Sequence, residues 1–97
     1  NGRVVKDIQQ INSILALNDV AYAGLFGSFA RGQENEKSDI DILVRFSKPK
    51  SLMDMIRIQR LLSEKVGRKI DLVTEGALSP YTRKNVMEDL TDLYGHR

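Results

Sequence analysis

Apolar residues recur at helical spacing from the start of the chain. Val4, Ile8, Ile11 and Leu15 form a stripe that Val5 and Ile14 widen, which predicts an amphipathic helix. Asn18-Asp19 ends it as a turn. The run Val20 to Phe26 is apolar on both alternating faces, the pattern of a strand covered on two sides. Gly27-Ser28 breaks that strand, and Phe29 to Gln33 reads as a short helix. Ile40, Ile42, Val44 and Phe46 then alternate with Asp39, Asp41, Leu43 and Arg45, which predicts a second strand. After the connection 47–50, Ser51 and Asp54 have the spacing of a capping box. The helix they open is expected to bury Leu52, Met55, Ile56, Ile58, Leu62 and Val66, with Arg57, Arg60 and Glu64 opposite and Gly67 as the stop. Lys69 to Thr74 predicts a third strand. Ser79-Pro80 opens a last helix that buries Val86, Met87 and Leu90, and the stretch 91–97 has room for a short edge strand. The expected order is helix, strand, helix, strand, helix, strand, helix. This is an α/β (α+β) fold in which helices flank a small mixed sheet.

Composition narrows the classes. At 97 residues, with 41% hydrophobic and 29% charged residues, the chain has room for one domain, expected to span 1–97. Its longest apolar run, at 20–26, falls well short of the ~20 residues that cross a bilayer, so no membrane role is expected. No segment joins a charged start to an apolar centre as a secretion signal does. Cysteine is absent, which excludes disulfides and thiolate chemistry and fits a cytoplasmic setting. The net charge is +2, unevenly spread. Residues 45–69 carry Arg45, Lys48, Lys50, Arg57, Arg60, Lys65, Arg68 and Lys69 against Asp54 and Glu64. Residues 34–41 carry Glu34, Glu36, Asp39 and Asp41 against Lys37. The basic middle attracts phosphates or an acidic partner, or is a solvated helix face.

Three features carry chemistry. In Gly27-Ser28-Phe29-Ala30-Arg31-Gly32, a glycine closes a buried strand and a serine opens a helix. Such a junction presents free amides to a phosphate; the Ser28 hydroxyl and the Arg31 guanidinium can add hydrogen bonds. The plainer alternative is a structural turn with Ser28 as the cap. Next, Asp39 and Asp41 lie two apart on one strand, so their carboxylates leave the same face with Cα atoms roughly 7 Å apart. Oxygen ligands in that arrangement suit a hard cation such as Mg²⁺. The third feature is Asp71, which alternates with Ile70 and Leu72 and would stand beside the other two if its strand paired with theirs. Alternatively it is a strand-end acid paired with Lys69 or Arg68. His96, the single histidine, is expected in a disordered tail, and Tyr22, Tyr81 and Tyr94 in packing roles.

Taken with Ser38-Asp39-Ile40-Asp41-Ile42-Leu43-Val44, Gly67-Arg68-Lys69-Ile70-Asp71-Leu72-Val73 and Leu78-Ser79-Pro80-Tyr81, the constellation resembles the minimal nucleotidyltransferases. These belong to the superfamily that includes DNA polymerase beta. The resemblance implies that Gly27, Ser28 and Arg31 bind the triphosphate of ATP or another nucleoside triphosphate. It implies that Asp39, Asp41 and Asp71 hold two Mg²⁺ ions and form the catalytic triad. It further implies an antitoxin that transfers AMP to a tyrosine hydroxyl of a helical toxin partner. A chain this short has no acceptor domain, so a partner protein or a second copy in a homodimer must supply that surface. Nucleic acid is disfavoured as a direct substrate for the same reason. A non-catalytic protein that neutralises its partner by contact is the alternative.

Overall fold

The structure, a computed structural model, describes residues 2–30, 32 and 39–96, with side chains from residue 6 onward except those of 28 and 29. Helix α1 (Gly2–Leu17) leads through a turn into strand β1 (Val20–Phe26). Asp19 takes a left-handed φ of 62° there, and its carboxylate accepts from Lys50 Nζ at 2.7 Å. A four-residue helix α2 (Gly27–Ala30) follows at once, then strand β2 (Ile40–Phe46). The short helix therefore starts two residues before the expected Phe29; Arg31 and Gln33 lie outside the described residues. Helix α3 (Leu52–Val66), strand β3 (Ile70–Thr74), a 3₁₀ turn (Glu75–Ala77), helix α4 (Pro80–Asp89) and strand β4 (Thr91–Gly95) complete the chain.

The four strands form one mixed sheet in the order β3-β2-β1-β4. Strands β1 and β2 pair antiparallel, as do β1 and β4, whereas β2 and β3 are parallel and joined by α3 as a crossover. Alternation along the strands sends Ile40, Ile42 and Val44 of β2, with Ile70 and Leu72 of β3, to one face. There they pack against Ile11 and Leu15 of α1 and Ile58 and Leu62 of α3. The opposite face carries a smaller core of Tyr22, Leu43, Val86 and Leu90, under α4. Gly24 lets α4 come this close: a Cβ on it would lie 2.7 Å from Leu90 Cδ1 and 2.5 Å from the Tyr22 hydroxyl.

Both ends of α3 follow the sequence pattern. Ser51 Oγ accepts from the Asp54 amide at 3.1 Å, the Asp54 carboxylate accepts from the Ser51 amide at 3.2 Å, and Gly67 closes the helix at φ 77°. Its buried face is narrower than expected. Ile58, Leu62 and Val66 are buried, but Leu52 is 73% and Ile56 41% exposed. The sheet-facing stripe follows the i, i+4, i+8 spacing from Ile58; Ile56 falls on its flank and Leu52 in the first turn. At the end of the chain the short edge strand expected within 91–97 is present, whereas His96, expected in a disordered tail, is held. Residues 91–95 form β4 beside the central β1, and the His96 carbonyl accepts from Arg45 Nη2 at 2.8 Å, so this stretch is tied into the sheet. Among the described residues no helix is long and apolar enough to cross a membrane.

Candidate active site

The face that carries α4 also carries the acids. Asp41 sits on β2 between Ile40 and Ile42, whose side chains are fully buried on the far side, so its carboxylate must leave the other face. In the parallel ladder Asp41 lies directly opposite Asp71 of β3, as the sequence predicts if the two strands pair. Asp39 immediately precedes β2, where the Ile40 amide donates to the Lys69 carbonyl at 3.0 Å. On its other flank Asp41 pairs with Phe26, the last residue of β1, and Gly27 follows as the first of α2. Gly27 has a φ of +78°, and a Cβ on it would lie 2.6 Å from Asp41 Oδ2. Only glycine combines that backbone with that approach, so the strand-to-helix junction and the carboxylates form one constellation. The Ser28 side chain and the whole of Arg31 lie outside the described residues.

Electrostatics match this crowding. Burial pushes the Asp41 carboxyl up, and the charges of Asp71 and Asp39 push it the same way, against a pull from Lys69. Lys69 reaches Asp39, at 3.8 Å, and not Asp71, the partner that the alternative reading of Asp71 would give it. Both of its partners are well exposed, so this ion pair contributes little and yields readily to a competing cation. Among the described residues no set of three or more acidic or histidine side chains stands ready to hold a metal ion. The donor chemistry nevertheless fits a hard cation: oxygen-only ligands, two carboxylates side by side in register, and a third whose lysine can be displaced. A bound cation would relieve the repulsion that raises Asp41.

The sequence pattern does not reveal a cavity further along the same face, beside Leu43, Arg45, Glu75 and Met87. Its walls come from the 3₁₀ turn and α4, which lie far from β2 in sequence. The only local sign of it is Gly76, a residue without a side chain just past a strand end.

Comparison with known proteins agrees with this geometry. Residues 4–93 match the model of the nucleotidyltransferase domain. A Methanocaldococcus jannaschii protein, provisionally named a protein adenylyltransferase, is 36% identical over 85 residues, covering 88% of this chain and 91% of its own. A solved structure provisionally described as a minimal nucleotidyltransferase is 31% identical, with a TM-score of 0.78 over 91% of this chain and 90% of that one. A toxin-antitoxin crystal structure with AMP-PNP is 24% identical, covering 93% of this chain and 74% of that one, and its TM-score of 0.82 shows the shared fold. With the motif, the strand register and the family match in agreement, the chain belongs to the nucleotidyltransferase family, as a minimal member with the enzyme architecture of that family.

Proposed function

We propose that this protein transfers AMP from ATP to a hydroxyl, a tyrosine of a partner toxin, and so acts as an antitoxin. The observation that carries the reading is the register of Asp41 against Asp71, with Gly27 packed on the Asp41 carboxylate. The name of the archaeal relative supports protein as the acceptor. The toxin-antitoxin complex with AMP-PNP supports both the nucleotide and the class of partner.

In this reading Asp39, Asp41 and Asp71 hold Mg²⁺ ions, two in number. When bound, the metal neutralises triphosphate charge and lowers the pKa of the attacking hydroxyl. The residues of the chain do the rest. Gly27 leaves space for the triphosphate beside Asp41, with Ser28 and Arg31 on the same segment as its further ligands. Asp71, next to Asp41 on a rigid strand, is the group that takes the acceptor proton or orients the hydroxyl. Transfer of this kind depends on positioning and charge neutralisation more than on covalent chemistry, and a rigid sheet suits that demand. The chain, a single domain across 1–97, relies on its partner for the acceptor surface, and the reducing cytoplasm is the setting.

The test is to incubate the chain and its partner with labelled ATP and Mg²⁺. Label should reach a tyrosine of the partner, and Asp71→Asn should cut labelling at least a hundredfold while leaving association intact. An unlabelled partner that is still bound tightly and neutralised would establish contact alone as the mechanism.

A further inference from the structure

The β1–β2 ladder sets out a linear track on the carboxylate face. Gly27 lies at one end; then come Phe26 opposite Asp41, Gly24 opposite Leu43, and Tyr22 opposite Arg45. A cavity of about 260 Å³ opens at the far end of this track, between the sheet, the 3₁₀ turn and α4. Its volume is just below the ~300 Å³ at which pockets for whole small-molecule ligands begin, so it suits one ring system rather than a complete nucleotide. Its apolar walls on this face are Leu43, Leu90 and Met87, two aliphatic side chains and an adaptable thioether. The polar residues that line it are Tyr22, Thr74, Glu75 and Arg45, whose guanidinium stands 5.6 Å over the Tyr22 ring and is fixed by its bond to the His96 carbonyl.

We propose that this cavity receives the base of the nucleoside triphosphate, a purine bearing a hydrogen-bond donor on its outer edge. The inference rests on the carboxylates taking the triphosphate, as proposed above. Leu43, the near wall, is two residues past Asp41 on the same strand face, a step of about 7 Å. Only the sugar separates phosphate from base, and that step is of the same length. With phosphates on the carboxylate face beside Gly27 and Asp41, the sugar crosses Leu43 and the base arrives in the cavity. An ionised carboxylate accepts hydrogen bonds and donates none, so Glu75 selects a base edge that carries an amine or ring N–H.

Gly76 provides a variant that fills the cavity from its rim. It lines the cavity, its backbone is not left-handed, and a Cβ on it would meet nothing within 4 Å. Calorimetric titration with Mg²⁺-ATP and with Mg²⁺-tripolyphosphate should show wild-type protein binding ATP at least tenfold more tightly. In Gly76→Phe, with folding checked by circular dichroism, ATP affinity should fall to that of tripolyphosphate while tripolyphosphate binding is unchanged. The Met87 methyl resonance of wild-type protein should shift with ATP and stay in place with tripolyphosphate, a readout independent of any variant. An ATP preference that survives in Gly76→Phe, its absence from the wild type, or a Met87 methyl indifferent to ATP overturns the proposal. Wild-type protein that binds neither probe overturns the carboxylate reading itself, and the base site with it.

Discussion

At the scale of single residues, Asp41 shows most clearly how the site conflicts with the fold. Its carboxyl is raised by burial and by the charges of Asp71 and Asp39. A carboxyl whose folded pKa exceeds its unfolded value, about 3.9, costs the fold stability when ionised. Its favourable contribution is present below the unfolded value and is lost as pH rises through the folded one. Asp41→Asn should therefore resemble wild type in stability at about pH 4 and exceed it increasingly towards pH 7. Urea titrations at several pH values measure this, and a constant gap would show that the charge is not the cause. Addition of Mg²⁺ should narrow the gap at pH 7, because a bound cation stabilises only the wild type. The acids were legible in the sequence, since period-two alternation with fully buried isoleucines leaves Asp41 only one face. The pairing of Lys69 with Asp39 was not, because it depends on which long side chain reaches across the β2–β3 ladder.

Among elements, α3 fixes the edge of the sheet. The sequence announces its ends through Ser51, Asp54 and Gly67, whose chemistry is local, but its inner face depends on tertiary contacts and came out narrower than periodicity implies. Two polar residues on that face carry out a task no pattern shows. Gln59 Oε1 accepts from the Leu72 amide at 2.8 Å, and Ser63 Oγ accepts from the Ile70 amide at 3.1 Å. These bonds bracket Asp71 on the outer edge of β3 and occupy donors that an open edge would leave unpaired. Gln59→Leu should strand the partly buried Leu72 amide and cost about 1–3 kcal/mol of stability. Because β3 then loses one of its two anchors, Mg²⁺-dependent nucleotide affinity should also fall, with every carboxylate still present. Denaturant unfolding together with calorimetry separates the two effects. Unchanged affinity in a destabilised protein would show that Asp71 is held by β2 alone. The 3₁₀ turn was missed for a related reason: Glu-Gly-Ala has no periodicity, and the turn exists because the chain must leave β3 for α4.

At the scale of the molecule, β4 ties helix α1 to the sheet. It extends the sheet past β1, the strand that ends at Phe26, just before Gly27. Three side-chain bonds tie it and its neighbours across long stretches of sequence. Asn12 Nδ2 of α1 donates to the Leu93 carbonyl at 3.0 Å, the Tyr22 hydroxyl donates to Asp92 at 2.7 Å, and Arg45 holds the His96 carbonyl. Thus α1, β1 and β2 each contact this segment by a different residue, although its composition reads as a polar tail with little to bury. Short polar segments of this kind become strands only when a central strand offers its edge, which sequence periodicity cannot register. Deleting residues 91–97 would leave β1 as an edge and strip cover from Tyr22, which is 3% exposed in the intact chain. With Tyr22 uncovered, the smaller core under α4 loses its largest member and the cavity beside it loses a wall. The expected outcome is a loss of several kcal/mol, enough to consume most of the ~5–15 kcal/mol margin of a small domain. Thermal unfolding followed by far-ultraviolet and near-ultraviolet circular dichroism tests this. The truncated chain should keep helical signal while its aromatic signal and sharp transition disappear. A truncated protein that melts as cooperatively as the full chain would mean that the three-stranded β3-β2-β1 core folds alone and that β4 only decorates it.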